Sequence, residues 1–320
     1  MLVLVDIIGV KPIGDNRYES VRNPQRMGNS ANISFGGFTL GIAANVAHQS
    51  IPDNYRMYSM SGNFLGGALT DRKLFCTFKE LRRTRTFITR SVEAFQKQDN
   101  GSERICLVSV VDFHVIEPQS FMTYSATPRL EYTSVEASPH IDECRRTLVD
   151  QGTIDQDLAD LHQKQFSALT DVFDVKYPPE SVCGQNLQGM VKGLKTTQHH
   201  LPIAARTAAD WVKCKSEIRT PAQQAYCLAF MMDASISFLP LTLDSLPLDA
   251  AGACSTLDFA LRLLTPDLDL NEWHLREWKT FAARAARTYS EGALWDNDGN
   301  MVASMTQTSI LRPPPTKAKI

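Results

Sequence analysis

One carboxylate stands in an otherwise apolar part of the sequence. Asp233 is the only charged residue between positions 225 and 243. Burying an isolated carboxylate is costly and raises its pKa, which suits a general base. The alternative is structural, because Asp233 could end a helix and cap the following turn with the help of Ser235 and Ser237. The neighbouring residues leave both interpretations open.

A second candidate is an amide on a predicted strand. The segment 301–311 has the composition of a β-strand, and Gln307 shares one face of it with mostly apolar residues. A buried amide needs hydrogen-bond partners and can orient a water molecule. Thr306 and Thr308 crowd the other face, so the alternation alone does not decide the matter. Thr256, ahead of another predicted strand, is unremarkable by itself.

A double glycine, Gly36 and Gly37, precedes an apolar segment with helical spacing. Backbone N–H groups at a helix start can bind a carbonyl oxygen or an anion. Tight packing where the helix enters a sheet explains the pair equally well.

Patterns for other chemistries are weak. The turn at 296–300 resembles a calcium loop only faintly, because its glycine comes too early and its twelfth position is Gln307. His199 and His200 have no acidic or cysteine partner at metal-binding spacing. No serine-hydrolase elbow, P-loop or dinucleotide fingerprint occurs. We therefore expect neither a metal ion nor a cofactor.

The elements that must position these residues are predicted from periodicity. In the first half, residues 36–50 predict a buried helix, and 74–96 and 104–115 predict strands joined by the turn at 98–101. Residues 117–150 have the mixed composition of a loop or linker.

The second half begins with a polar segment and then repeats the pattern. The predicted elements are a helix at 153–171, a strand at 172–178, a helix at 220–232, a strand at 253–264, a single strand at 277–295, a hairpin turn at 296–299 and a strand at 301–311.

The two halves therefore show a weak internal duplication. Each has an apolar helix rich in small residues, followed by a strand, a turn of Asp, Asn and Gly, and a further strand. The repeat predicts an α+β protein with two copies of a helix packed on an antiparallel sheet.

Composition excludes several classes of protein. The chain has 320 residues, 43% of them hydrophobic, with 33 basic and 35 acidic side chains and a net charge of −2. This balance argues against a nucleic-acid partner. The 7 irregularly spaced cysteines argue against a disulfide framework and favour a reducing compartment. Because no apolar run reaches the length of about 18 residues, we expect no membrane span.

The C-terminal tripeptide Ala318-Lys319-Ile320 has the order small, basic, aliphatic of the Ser-Lys-Leu peroxisomal address. The proline-rich stretch before it would hold the tail clear of the domain. We expect binding to the peroxisomal import receptor and localisation to the peroxisome, with the cytoplasm as the alternative.

Taken together, these segments resemble the type II acyl-CoA thioesterases. In the first half the likeness rests on Phe35-Gly36-Gly37 and Phe64-Leu65. In the second half it rests on the segment 233–240, on Ser255-Thr256-Leu257-Asp258, on Asn271-Glu272-Trp273 and on the hairpin that runs from Leu294 to Gln307.

The resemblance implies a double hotdog fold, with two antiparallel sheets each wrapped around a central helix. It also implies hydrolysis of acyl-CoA to a free acid and CoA without a covalent acyl-enzyme. Asp233 would be the base, while Thr256 and Gln307 would orient the water or the oxyanion. Gly36 and Gly37 would bind the substrate, with the Gly37 N–H as a contact for the thioester carbonyl.

The sequence departs from the family at two places. The family commonly has His-Ser-Tyr-Phe-Leu-Arg-Pro-Gly where this chain has residues 61–68, so the His and the Arg-Pro are missing. A family His is replaced by Phe259. These losses bear on substrate choice and on contacts with the CoA end. They keep two rivals open: a hotdog dehydratase, lyase or cyclase of a specialised pathway, and a non-catalytic acyl-binding module.

The predicted organisation follows the resemblance. We expect an N-terminal hotdog at 1–118, a linker or insert at 119–168, a C-terminal hotdog at 169–312 and a tail at 313–320. Since hotdog sheets have edges that pair readily, we also expect a homo-oligomer.

Overall fold

A computed structural model of the protein describes residues 3–28 and 31–314, so the tripeptide Ala318-Lys319-Ile320 lies outside the described residues. The α-helices are α1 (Leu4–Ile7), α2 (Gly36–His48), α3 (Ile141–Asp150), α4 (Gln156–Thr170), α5 (Val182–Asn186), α6 (Pro221–Met232) and α7 (Leu239–Leu243). The strands are β1 (Val10–Gly14), β2 (Arg17–Ser20), β3 (Tyr55–Phe64), β4 (Phe75–Arg83), β5 (Phe87–Lys97), β6 (Glu103–Val115), β7 (Phe173–Lys176), β8 (Thr207–Cys214), β9 (Ala253–Leu263), β10 (His274–Arg284), β11 (Arg287–Trp295) and β12 (Met301–Arg312).

Within the described residues all the strands belong to one antiparallel sheet, in the order β1-β2-β4-β5-β6-β3-β9-β12-β11-β10-β8-β7. The order β4-β5-β6-β3 in the first half is repeated as β10-β11-β12-β9 in the second. Each half is therefore a hotdog, and the α+β double hotdog is confirmed. Its two sheets are joined edge to edge, because β3 pairs with β9 between Ser59–Asn63 and Asp258–Arg262.

The two central helices, α2 and α6, are buried along most of their length. A helix with this many apolar and small residues around its whole circumference needs neighbours on all sides. The helices pack against each other, with Phe230 of α6 lying 5.2 Å from the ring of Phe35 and 5.0 Å from that of Phe38. The α6 start is fixed by a capping box in which Thr220 and Gln223 bond reciprocally. The predicted helices at 36–50 and 220–232 are thus confirmed.

Two predicted strands are each two strands in the structure. The segment 74–96 is divided by a turn between β4 and β5, and 277–295 is divided between β10 and β11. The second turn consists of Ala285 and Ala286, with φ angles of 51° and 56°. Hairpin turns of this kind normally use Gly or Asn, because other residues rarely adopt positive φ. The alanine pair gave no turn signal, so the single-strand prediction was wrong.

The prediction of a loop at 117–150 was wrong for its last part. Residues Ile141–Asp150 form α3, which begins with a capping box between His140 and Glu143. Strands β1, β2, β3 and β8 and the short helices α1, α5 and α7 were missed, whereas the helix predicted at 153–171 and the strands at 104–115, 172–178, 253–264 and 301–311 are confirmed. In the turn at 296–299, Asp296 Oδ1 accepts the N–H groups of Asp298 and Asn300, so the hairpin prediction also holds.

Among the described helices, none combines the length and the apolar character that crossing a membrane would require. All the cysteines are free, and all but Cys254 are buried.

Candidate active site

Three elements of the second half converge on the candidate residues. Asp233 follows the last residue of α6, Thr256 lies near the start of β9, and Gln307 lies in the middle of β12. Strands β9 and β12 are neighbours in the sheet, and Asp233 at the end of α6 is hydrogen-bonded to Gln307 of β12. The fold therefore brings together three residues that are far apart in the sequence.

A β-bulge gives Thr256 its direction. Gln307 pairs with Phe259, but Ser309 pairs with Thr256, so Leu257 is the extra residue on β9. In a regular ladder Thr256 would point to the opposite face of the sheet from Gln307. The bulge returns the Thr256 side chain to the face of Gln307. The sequence carries no sign of this shift, so its local pattern does not single out Thr256.

The three side chains form a continuous hydrogen-bonded line. Thr256 Oγ1 donates to Gln307 Oε1 over 3.0 Å, and Gln307 Nε2 donates to Asp233 Oδ1 over 2.7 Å. The amide orientation follows from its neighbours, because the opposite orientation would place its oxygen against a carboxylate. Gln307 is only 1% exposed. Its amide is thus a fixed link between a hydroxyl and a carboxylate.

Asp233 is a buried carboxyl group with neutral hydrogen-bond partners. Burial raises its pKa from 3.8 to about 7, although hydrogen bonds from Gln307 and from the Gly37 backbone N–H oppose the rise. The residue is 5% exposed. Near neutral pH such a group exchanges a proton readily in either direction, as a general base must.

Gly36 and Gly37 lie directly against this carboxylate. A Cβ on Gly36 would lie 2.6 Å from Asp233 Oδ2, and a Cβ on Gly37 would lie 2.5 Å from the Phe230 carbonyl oxygen. At Gly37 a backbone carbonyl leaves no room for a side chain, whereas at Gly36 the Asp233 carboxylate would have to move. The Gly37 N–H donates to Asp233, so this amide holds the carboxylate in the present geometry.

Asp233 and Thr256 line a cavity of about 260 Å³. Its wall is mostly apolar and includes the loop in which the family His and Arg-Pro are missing. The lining residues are Met27, Ile33, Ser34, Phe35, Gly36, Thr39, Phe64, Leu65, Gly66, Gly67, Ala68, Asp233, Ser235, Ser237, Phe238, Leu248, Cys254, Ser255, Thr256 and Leu257. Phe259, which replaces a family His, is buried with its ring 5.9 Å from that of Phe64. The carboxylate is therefore buried beside a cavity whose wall is largely apolar.

Other features lie apart from this site. A larger cleft, of about 770 Å³, is lined by charges of both signs near Arg56 and Lys213 and contains none of the candidate residues. His199 and His200 are exposed. In the part of the chain that the structure describes, no three His, Cys, Asp or Glu residues are grouped as metal ligands.

Sequence reasoning gave Ser235 no part in the chemistry. It treated this residue only as a possible helper in a turn, yet Ser235 lines the cavity beside Asp233. Its position two residues after the carboxylate was the one available signal.

Comparisons with known proteins identify the family of the two halves. The models of the acyl-CoA thioesterase N-terminal and C-terminal domains match residues 23–114 and 168–311, which together are more than half of the chain. No curated protein sequence matches the chain significantly.

Several solved structures share the fold. A TesB protein of Mycobacterium avium subspecies paratuberculosis has a TM-score of 0.68 at 15% identity, over 97% of this chain and 98% of that one. The acyl-CoA thioesterase II TesB2 of Mycobacterium marinum has a TM-score of 0.68 at 16% identity, over 98% and 100%. A hot dog protein of unknown function from Alicyclobacillus acidocaldarius has a TM-score of 0.65 at 14% identity, over 98% of each chain. At these identities the likeness supports the fold, and the two domain matches carry the family: the chain belongs to the acyl-CoA thioesterases and is a thioester hydrolase.

Proposed function

We propose that the protein hydrolyses acyl-CoA to a free acid and CoA through one water molecule held by Asp233, Thr256 and Gln307. The observation that carries the proposal is the hydrogen-bonded line from Thr256 through Gln307 to a buried carboxyl group whose pKa is about 7. This line borders an apolar cavity in which a thioester could lie.

Each residue has a distinct task in the proposed step. Asp233 accepts a proton from the water as the water oxygen forms a bond to the thioester carbon. Gln307 holds the carboxylate in place, and the Thr256 oxygen accepts the second hydrogen bond from the water. The pair of electrons from the carbonyl double bond moves onto the carbonyl oxygen. When that double bond forms again, the carbon–sulfur bond breaks and the thiolate takes the proton from Asp233.

These three residues are sufficient for hydrolysis of a thioester. The carbonyl carbon is already electrophilic and a thiolate is a good leaving group, so a positioned water with a nearby base meets the chemical need. A covalent nucleophile is unnecessary. Phe35, Phe64 and Phe238 in the cavity wall suit an acyl group.

The experiment is a measurement of CoA release from acyl-CoAs of several chain lengths, with the wild type and Asp233→Asn. Removal of a general base typically lowers a rate by about 10²–10⁴-fold. Asp171→Asn is the control, because Asp171 is an exposed aspartate remote from the cavity. We expect full activity in the control and a loss of at least about 10²-fold in Asp233→Asn.

The rival functions are outcomes of the same experiment. If wild type releases CoA from no acyl-CoA, thioester hydrolysis through this site is wrong. Conversion of a thioester-derived intermediate without thiol release would indicate a dehydratase, lyase or cyclase. Binding of acyl-CoA with no conversion would indicate an acyl-binding module. Equal rates in the wild type and Asp233→Asn would contradict only the role of Asp233 and would leave the thioesterase activity in place.

We also propose import into peroxisomes and a homo-oligomeric state. Removal of Ala318–Ile320 from a tagged protein tests the first proposal, and continued import would contradict it. Light scattering tests the second, and a monomer at micromolar concentration would contradict it. The free sheet edges, β1 with Pro12 and the short β7, offer little strand for pairing, so an oligomer would have to bury another surface.

A further inference from the structure

Ser235 combines two unusual features next to the proposed base. Its φ angle is 76°, in the left-handed region that favours glycine. Its side-chain Oγ is buried without a hydrogen-bond partner among the described residues, and the residue is only 3% exposed. Buried polar groups are normally paired, and strained residues cluster at functional sites. Ser235 lines the same cavity as Asp233 and Thr256.

The donors of the proposed water-binding set are already committed. The Thr256 hydroxyl donates to Gln307, and the Gln307 amide donates to Asp233 and contacts the sulfur of Met305 at 3.4 Å. The Gly37 N–H donates to the Asp233 carboxylate. Water attack creates negative charge on the thioester oxygen, and that charge requires a donor in a dry site. The Ser235 hydroxyl is a donor that remains available.

We propose that Ser235 is a further catalytic residue whose hydroxyl donates to the thioester carbonyl oxygen and stabilises the oxyanion. The inference rests on the proposed hydrolysis of acyl-CoA. As the water oxygen bonds to the carbonyl carbon, the displaced electron pair collects on the carbonyl oxygen opposite the Ser235 O–H. The hydrogen bond strengthens in the transition state, so it lowers the barrier more than it tightens substrate binding.

The left-handed backbone places this hydroxyl. Helix α6 ends at Met232, and the chain must turn sharply through 233–238 before α7 begins at Leu239. Glycine would make this turn without strain. A serine at such a position keeps a buried hydroxyl beside the cavity that glycine would remove, which is the pattern expected when function opposes stability.

The test compares Ser235→Ala and Ser235→Gly with the wild type, and uses Ser109→Ala as the matched control. Ser109 is also a buried serine whose Oγ has no hydrogen-bond partner among the described residues, but it does not line the cavity. Loss of one oxyanion donor typically lowers kcat by about 10²–10³-fold. We expect both Ser235 variants to lose kcat by about 10²-fold or more, with KM changed by less than about threefold. Ser109→Ala should retain its kcat.

Two further measurements separate this role from a structural one. Ser235→Gly relieves the positive φ, so its melting temperature should equal or exceed that of the wild type while its kcat falls. The pH midpoint of the residual activity should stay where it is in the wild type, because Asp233 keeps its partners. A structural role would instead lower the melting temperature and shift that midpoint.

The possible results distinguish failure of the Ser235 inference from failure of the proposed function. Wild-type hydrolysis together with a kcat within twofold of wild type in Ser235→Gly would overturn the inference and leave the proposed function intact. That result would show that another donor, such as the Gly36 backbone amide, holds the oxyanion. Absence of hydrolysis by the wild type would overturn the proposed function, and the inference would fall with it.

Discussion

The protonation state of Asp233 decides when the proposed site can act, because only the carboxylate can take a proton from water. With its pKa raised to about 7 by burial, the active fraction grows about tenfold per pH unit below neutrality and levels off above it. We therefore expect kcat/KM to rise between pH 5 and 7 and to become constant near pH 8. A pH series with one acyl-CoA checks this, and a flat profile from pH 5 to 8 would contradict it.

The same pKa predicts how Asp233 affects stability. Its folded pKa of about 7 lies above the ordinary 3.8, so between these values the native state binds more protons than the unfolded chain. The stability contributed by protonated Asp233 is fully present below pH 3.8 and is lost as the pH rises to 7. Asp233→Asn, which stays neutral, should stabilise the fold by up to about 4 kcal/mol at pH 8 and little at pH 4.

Urea unfolding of wild type and Asp233→Asn at both pH values measures this difference. Asn has one acceptor oxygen, so any hydrogen bond that it loses is lost at both pH values, and the change in the stability difference between pH 4 and pH 8 isolates the charge. An equal stability difference at pH 4 and pH 8 would show that the effect is packing rather than ionisation. A stabilised but inactive variant would fit a site in which function is kept at the expense of stability.

At the scale of elements, the first residues of α2 pack directly against the Asp233 carboxylate. A Cβ at position 36 would lie 2.6 Å from Asp233 Oδ2 and 3.1 Å from the Phe64 ring. The atoms crowded at position 36 belong to side chains, which can shift, and not to the backbone. We expect Gly36→Ala to keep its melting temperature within a few degrees but to lose activity at least tenfold, because the carboxylate must move.

Gly41→Ala is the control for this prediction. It lies on the same helix and is also crowded, with a Cβ 3.1 Å from Ile8 and 3.2 Å from Phe230, but it does not approach Asp233. Any loss in Gly41→Ala should be in stability, with full activity per folded molecule. Full activity in Gly36→Ala would mean that the site tolerates displacement of the carboxylate.

The elements also show what could be predicted from the sequence. Asp233 was visible because a lone charge in an apolar run is rare, and α2 and α6 were visible because their apolar spacing is continuous. A role for Gln307 was only suggested, because strand alternation predicts which face a side chain occupies but not which residues it contacts there. Thr256 could not be found from physical pattern, because its direction depends on a bulge at Leu257 that no local residue signals.

Two other elements were missed because their conformation is set by distant parts of the chain. Strand β3 was missed although it joins the two halves, since its sequence mixes polar and apolar residues at the junction with β9. The turn at Ala285 and Ala286 was missed because the sheet on either side imposes positive φ on residues that seldom adopt it. In both cases long-range pairing overrides local preference.

At the scale of the whole molecule, the junction of the halves implies that they unfold together. Strand β3 pairs with β9 over Ser59–Asn63, and Phe230 packs against Phe35 and Phe38 across the central helices. Most of the buried apolar side chains that the structure describes form one core cluster that includes both helices. We expect a single cooperative transition, despite the length at which chains often divide into independent domains.

The chain offers a natural probe of this cooperativity. All 4 tryptophans lie in the second half, so tryptophan fluorescence reports that half while far-ultraviolet circular dichroism reports both. The two signals should share one urea midpoint, and Phe230→Ala should lower both midpoints together by removing about 3–5 kcal/mol of stability. Phe281→Ala, at a half-exposed ring on β10, is the control and should change little. Separate midpoints for the two signals would mean that the shared strand pair does not couple the halves, and that the site depends on the second half alone.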